Sequence, residues 1–77
     1  MTVHVRYFAS LRERLGRSDD RITLEDALTA TELWSRLWPD TPLPPNTLIA
    51  VNQEYADPGA ALRDGDEVAF FPPVTGG

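Results

Sequence analysis

Hydrophobic and polar residues alternate along residues 2–8, with the period of two that is typical of a half-buried β-strand. Val3, Val5 and Tyr7 fall on one face of this strand, whereas Phe8 falls on the other face among polar side chains. We assign the first face to the core, so Phe8 is expected to point away from it.

Short apolar or alternating runs predict further strands at residues 21–25, 48–51, 54–56 and 67–71. An Asn-Gln pair at 52–53 is expected to form a hairpin turn, and an Asp-Gly-Asp run at 64–66 a turn before the last strand. In that last strand Val68 and Phe70 share one face, and Phe71 takes the other. Because this strand is apolar and late in the chain, we expect it to lie centrally, beside the first strand.

Two helices are predicted from capping boxes, in which a Ser or Thr caps the helix and a Glu three residues later returns the hydrogen bond. The first box is Ser10 with Glu13, and Gly16 offers a stop. The second box is Thr29 with Glu32, and an apolar face at helical spacing follows it. That face consists of Ala30, Leu33, Trp34, Leu37 and Trp38.

The order of these elements predicts an α+β fold, in which one long helix covers one face of a mixed sheet. The helix is expected to end at Pro39, before a proline-rich loop at 39–46. A stacking platform is one role for its two tryptophans, but their helical spacing favours packing in the core.

Composition limits the class of protein. The 77 residues suffice for one small domain, and the absence of cysteine excludes disulfides. A net charge of −5 argues against nucleic acid and anionic lipid as partners. Because the sequence has neither a membrane-length apolar run nor a signal-peptide pattern, we expect a cytoplasmic protein.

The side chains offer little catalytic chemistry. His4 stands alone on the outward face of the first strand, where a solvated histidine is expected. Asp64, Asp66 and Glu67 could hold a cation, but a turn explains these residues better. We therefore expect no metal, no bound cofactor and no catalysis by the chain alone.

The segment PPVTGG at residues 72–77 presents a different reactive group, the terminal carboxylate. Its two prolines cannot extend a sheet and favour an extended path, so we expect a domain at 1–71 and a projecting tail at 72–77. Gly76 and Gly77 carry no side chains, which leaves that carboxylate unshielded and able to enter a narrow tunnel. An ordinary frayed terminus is the alternative.

Phe8 and Phe71 fall on the faces opposite the core residues of their strands. If the first and last strands are neighbours, the two rings form an exposed apolar patch at the root of the tail, and such patches commonly bind partners. The alternative is that a loop of the same chain covers them.

Three stretches carry a family resemblance: VRYFASLRERLG at 5–16, AVNQEY at 50–55 and LRDGDEVAFFPPVTGG at 62–77. They resemble the sulfur-carrier (small) subunit of molybdopterin synthase, the MoaD family. The last stretch is the most specific, because its DGDEVAFFPPV core runs on to a terminal Gly-Gly. Residues 17–47 resemble the family only in their strand–helix–loop layout.

The resemblance implies a ubiquitin-like β-grasp fold and a sulfur carrier for molybdenum cofactor synthesis. An adenylating enzyme of the ubiquitin-activating type would consume ATP to activate the Gly77 carboxylate, and a sulfur donor protein would then leave a thiocarboxylate. The tail would insert into the large subunit of molybdopterin synthase, where the sulfur passes to the pterin precursor. The inserted residues would be Pro72, Pro73, Val74, Thr75, Gly76 and Gly77.

The resemblance also implies that Phe8, Tyr55 and Phe71 meet the partner enzymes. Three alternatives stay open: a thiazole-type sulfur carrier, a ubiquitin-like protein modifier and a binding module with an inert tail. The FFPPV approach to the diglycine favours the molybdopterin type over the thiazole type.

Overall fold

The structure, a computed structural model, describes residues 1–72, which form five strands and two helices. In chain order the elements are β1 (Thr2–Tyr7), α1 (Ala9–Leu15), β2 (Asp19–Thr23), α2 (Ala30–Leu37), β3 (Leu48–Val51), β4 (Glu54–Ala56) and β5 (Glu67–Phe71).

The five strands form one mixed sheet in the order β2-β1-β5-β3-β4. β5 runs parallel to β1 and antiparallel to β3, and the β1–β2 and β3–β4 pairs are antiparallel. The predicted central position of the last strand, beside the first, is therefore confirmed. This α+β arrangement of a mixed sheet and helices is the predicted β-grasp architecture.

The core lies between the sheet and α2, and it contains the predicted inward residues. Tyr7 and Phe70 stack with ring centroids 6.3 Å apart, and Trp34 packs edge-on against Phe70 at 5.1 Å. The principal core residues of the sheet and α2 are Val3, Val5, Tyr7, Leu33, Trp34, Val68 and Phe70. The interpretation of Trp34 as a core residue is thus confirmed.

The prediction of one long helix is wrong, because α2 has only 8 residues. Trp38 lies just beyond it as the C-cap residue, and Pro39 follows. A residue before proline is disfavoured in helical geometry, so the helix stops before Trp38. The predicted capping box at its start is present, since Thr29 and Glu32 each bond the other's backbone N–H.

The predicted capping box of α1 does not form. The N-cap residue is Phe8, no side chain caps the helix, and Ser10 lies within the first turn. Phe8 donates its N–H to the Phe70 carbonyl at 3.1 Å, so the β1 ladder continues to the residue at which the helix begins. Gly16 ends the helix in the left-handed conformation, as predicted.

The second strand begins earlier than predicted, at Asp19 rather than Arg21. Asp19 and Asp20, which lie before the predicted strand, pair with Arg6 and Val5 of β1. Their carboxylates find partners on neighbouring residues, and these contacts offset the low strand propensity of aspartate.

Candidate functional site

The outward face of the sheet, opposite the helices, divides into a polar and an apolar half. The polar half lies on β2 and the start of β1, where Arg21 pairs in register with His4. The apolar half lies on β5, β3 and β4, where Leu48 pairs with Phe71 and Ala50 with both Ala69 and Tyr55. Strand alternation and register together therefore collect apolar side chains on the solvent side of the sheet.

Three aromatic side chains form a contiguous cluster on this apolar half, called here the aromatic cluster: Phe8, Tyr55 and Phe71. Phe71 lies at its centre, because its ring centroid is 6.2 Å from that of Phe8 and 5.8 Å from that of Tyr55. The Phe8 and Phe71 rings meet edge to face, an arrangement that aromatic pairs favour. The structure thus brings together all three residues that the resemblance assigned to partner contacts.

The cluster is open to solvent within the described part of the chain. Tyr55 is 75% exposed and Phe8 38% exposed, and they are the large hydrophobic residues with the greatest exposure there. Phe71 is half-buried between them. No loop within residues 1–72 covers the patch, so these residues do not support the alternative that the chain hides it.

A rigid turn fixes the position of Tyr55. The β3–β4 hairpin turns at Asn52 and Gln53, both with positive φ, which is the geometry of a two-residue hairpin turn. The Asn52 side chain donates to the Asp66 carboxylate at 2.9 Å and accepts from the Glu67 N–H at 3.0 Å. These bonds tie the hairpin to β5, the strand that carries Phe71.

Sequence reasoning missed four contributors to this surface: Arg6, Leu48, Ala50 and Ala69. The guanidinium carbon of Arg6 lies 5.3 Å from the centre of the Phe8 ring, a cation–π distance. The other three belong to the apolar half through strand pairing. The alternation along β3 and β5 could have indicated their face, but only the register of the pairing could place them beside the cluster.

The polar half contains a hydrogen-bonded pair of side chains, His4 and Asp19. His4 Nε2 lies 3.1 Å from Asp19 Oδ2 across the β1–β2 pair. The hydrogen bond to His4 is the largest of the causes that lower the pKa of the Asp19 carboxyl, and a bond from Ser18 adds to it. His4 is therefore partly exposed on the outward face, but it is paired rather than simply solvated.

A hydrogen-bonded cluster on the opposite side of the sheet has a structural role. The Tyr7 hydroxyl accepts from Trp38 Nε1 at 2.9 Å and donates to Asp20 Oδ2 at 3.1 Å. Arg17 donates to both oxygens of the Asp20 carboxylate. Burial is the main cause that raises the pKa of Tyr7, so the phenol stays neutral and holds β1, β2 and the end of α2 together.

The acidic residues near the β5 turn have backbone or side-chain donors as partners. Asp64 accepts from the Thr2 N–H at 2.7 Å, and Asp66 accepts from the Arg63 N–H at 2.8 Å. Residues 1–72 contain no group of three or more His, Asp or Glu side chains that could hold a metal ion. The turn and the neighbouring β1 thus supply hydrogen-bond donors to the Asp64 and Asp66 carboxylates.

β5 ends at Phe71, so the chain leaves the sheet beside the aromatic cluster, and Pro72 follows half-buried. The tail residues Pro73, Val74, Thr75, Gly76 and Gly77 lie outside the described residues. The division into a domain at 1–71 and a tail at 72–77 stays a prediction. No helix among residues 1–72 combines the length and the hydropathy that crossing a bilayer requires.

A family model, the ThiS family, matches residues 5–77 of the chain. The chain belongs to this family. Among curated relatives, it is 36% identical to the molybdopterin synthase sulfur carrier subunit of Chlamydomonas reinhardtii, with all of both chains covered. It is 39% identical to the protein of the same name from Haemophilus influenzae, covering 97% of this chain and 99% of the relative. Small archaeal modifier protein 3 of Haloferax volcanii is 37% identical, again with full coverage of both.

Two solved structures of similar proteins have the same fold as this chain. The crystal structure of SAMP1 from Haloferax volcanii superimposes with a TM-score of 0.81, at 28% identity and full coverage of both chains. A chain from the complex of subunits 1 and 2 of molybdopterin-converting factor from Helicobacter pylori superimposes with a TM-score of 0.69, also at 28% identity and full coverage. The predicted ubiquitin-like β-grasp fold and the resemblance to molybdopterin synthase sulfur carriers are confirmed.

Proposed function

We propose that this ThiS-family protein is the sulfur carrier subunit of a molybdopterin synthase and that Gly77 carries the sulfur. The observation that carries the proposal is the aromatic cluster, which lies at the end of β5 where the chain continues toward the diglycine. Full-length similarity to molybdopterin synthase sulfur carrier subunits supports it. The chain acts as a subunit and a substrate, and catalysis belongs to its partners.

The proposed chemistry begins at the C-terminal carboxylate, a poor acyl electrophile until it is activated. A carboxylate oxygen of Gly77 attacks the α-phosphorus of ATP on the adenylating enzyme, and pyrophosphate leaves. A hydrosulfide ion supplied by a donor protein then attacks the acyl carbon, the bond between this carbon and the AMP oxygen breaks, and AMP and a proton leave a thiocarboxylate. Because the sulfur is held on the main chain, the carrier needs no cysteine, and this sequence has none.

The aromatic cluster is proposed to bind the large subunit of molybdopterin synthase. The likeness to a subunit from a two-subunit complex supports a heteromeric partner. Exposed aromatic side chains at the centre of an interface often contribute most of the binding free energy. Docking there would direct the residues after Pro72 into the partner, where the thiocarboxylate transfers its sulfur to the pterin precursor.

The test is to incubate the protein with its adenylating enzyme, ATP and a sulfur donor, and then to add a thiol-directed alkylating reagent. We expect one ATP-dependent label in the intact mass, mapped to Gly77. The absence of cysteine should keep background labelling near zero. The matched control is a chain without Gly76 and Gly77, which should fold and take up no label. An unlabelled parent chain, with an adenylating enzyme that activates another carrier, would refute the proposal.

A second candidate function is that of a protein modifier, which would be joined to lysines on other proteins. The observation behind this candidate is the full-length similarity to small archaeal modifier protein 3. Both functions share the adenylation of Gly77, so they separate at the next step. An isopeptide between Gly77 and a target lysine would support the modifier, whereas a labelled thiocarboxylate would support the carrier.

A further inference from the structure

Arg6 lies at the boundary between the polar half and the aromatic cluster. It is an exposed residue on the outward face of β1, paired in register with Asp19 of β2 on one side and Ala69 of β5 on the other. Its guanidinium carbon lies 5.3 Å from the centre of the Phe8 ring. Arg6 thus places a cationic group against the Phe8 side of the cluster.

The carboxylate nearest to Arg6 in the strand register is engaged elsewhere. Asp19 Oδ2 lies 3.1 Å from His4 Nε2, and Asp19 Oδ1 accepts from the Ser18 hydroxyl at 3.2 Å. Within the described residues no carboxylate oxygen lies within 4.0 Å of an Arg6 nitrogen. The guanidinium is therefore held by the Phe8 ring, and its hydrogen-bond donors have no carboxylate partner within this part of the molecule.

Arg6 belongs to a stretch of sequence whose net charge differs in sign from that of the whole chain. Four of the seven arginines lie in residues 6–17, which contain a single acidic residue, Glu13. The net charge of the chain is nevertheless −5. Arg17 lies on the opposite side of the sheet, bonded to Asp20, so the positive charge that meets the Phe8 ring is that of Arg6. This charge would attract an acidic group on a partner that binds the aromatic cluster.

We propose that Arg6 is a specificity-determining residue, which selects a partner that presents a carboxylate at the edge of its apolar contact with the aromatic cluster. The planar guanidinium can stack on Phe8 and donate two parallel hydrogen bonds to one carboxylate at the same time. A partner without that carboxylate would bury an unpaired cation and bind more weakly. This inference rests on the proposed function, because it takes the large subunit of molybdopterin synthase as the partner.

The test measures the association rate and Kd of this protein with the large subunit from the same organism, at several salt concentrations. We expect Arg6→Gln to raise Kd about tenfold and Arg6→Glu about a hundredfold. The effect of Arg6→Glu should diminish as salt rises, because ions screen the partner's charge. The matched control is Arg21→Glu, the same charge reversal on the same face of the sheet but in the polar half.

A complementary change identifies the partner's carboxylate. One large-subunit Asp or Glu, replaced by Arg, is expected to restore binding of Arg6→Glu while weakening binding of the parent chain. A variant that unfolds at the same midpoint temperature as the parent is folded. If Arg6→Glu does not fold, the Kd of Arg6→Gln tests the proposal.

The outcomes separate this inference from the proposed function. If both Arg6 variants bind like the parent while Phe71→Ala loses binding, the aromatic cluster is the interface and the role of Arg6 is overturned. An equal loss in Arg21→Glu and Arg6→Glu would also overturn it, since the effect would then reflect overall charge. If the parent chain itself does not bind the large subunit, the proposed function fails and this inference fails with it.

Discussion

At the residue scale, two adjacent side chains at the end of β1 have opposite environments. Tyr7 is 2% exposed and Phe8 is 38% exposed, although they are adjacent in the sequence. Tyr7 packs beneath the sheet with its hydroxyl bonded to Trp38 and Asp20, whereas Phe8 meets Phe71 on the solvent side. Tyr7 therefore contributes to stability, whereas Phe8, as we propose, contributes to recognition.

The Tyr7 hydroxyl is expected to link stability to pH. Tyr7→Phe leaves Trp38 Nε1 without its acceptor and removes one donor to the Asp20 carboxylate, so we expect a loss of about 1–2 kcal/mol in the free energy of unfolding near pH 7. Because the folded chain raises the pKa of Tyr7, this stabilisation is complete below the unfolded value of about 10 and is lost as pH rises above it.

Urea unfolding of the parent and Tyr7→Phe at pH 8 and pH 11 measures this effect, at pH values chosen around a tyrosine pKa of about 10. The free energy of unfolding of the parent should fall from pH 8 to pH 11 by more than that of Tyr7→Phe. Tyr55 is present in both chains, so its contribution is common to the comparison. Equal pH dependence in the two chains would contradict a role for the Tyr7 phenol.

At the element scale, two capping boxes of the same sequence form had different outcomes. Thr29 and Glu32 form the predicted box at α2, whereas Ser10 and Glu13 form none at α1. The Phe8 N–H already bonds to Phe70 in the sheet, and α1 starts at Ala9, two residues earlier than a box capped by Ser10 requires. A local motif thus predicts a helix start only where the sheet does not impose another.

The two boxes provide a matched pair of variants. Thr29→Ala is expected to lower the free energy of unfolding by about 1 kcal/mol, because it removes the acceptor of the Glu32 N–H. Ser10→Ala should change it by less than about 0.5 kcal/mol, since Ser10 caps nothing. Urea unfolding of both variants measures the difference, and a loss in Ser10→Ala as large as in Thr29→Ala would contradict the helix start described here.

At the scale of the whole molecule, β5 joins the core to the candidate site. It is the central strand, paired with β1 and β3, and consecutive phenylalanines point to opposite faces. Phe70 is 0% exposed against Trp34 and Tyr7, whereas Phe71 lies in the aromatic cluster. One strand therefore holds the domain together and positions the surface from which the chain continues to its C-terminus.

Adjacent substitutions on β5 should separate folding from binding. A chain of 77 residues has a total stability of about 4–11 kcal/mol, and Phe70→Ala is expected to remove about 3–5 kcal/mol of it. Phe71→Ala should cost less than Phe70→Ala, because the Phe71 ring is only partly buried. Thermal unfolding followed by circular dichroism checks both, and equal losses would contradict the assignment of their faces.

The sequence by itself determined which residues share a face and where most elements lie. Alternation placed Val3, Val5 and Tyr7 in the core and Phe8 outside it, and a capping box located α2. These features depend on residues a few positions apart, whose geometry the backbone period dictates. The resemblance in the terminal stretches supplied the β-grasp fold, which the sheet order and the superposed structures bear out.

The sequence predicted that the last strand lies beside the first, but only the tertiary structure decided the full strand order and the register of each pair. The parallel pairing of β1 with β5 brings Phe8 to Phe71, and the strand register places Arg6 between Asp19 and Ala69, next to Phe8. The pairing of β2 with β1 also includes Asp19 and Asp20, although aspartate has a low propensity for strands. Such pairings depend on hydrogen bonds and packing between residues far apart in the chain, which no local pattern of side chains specifies.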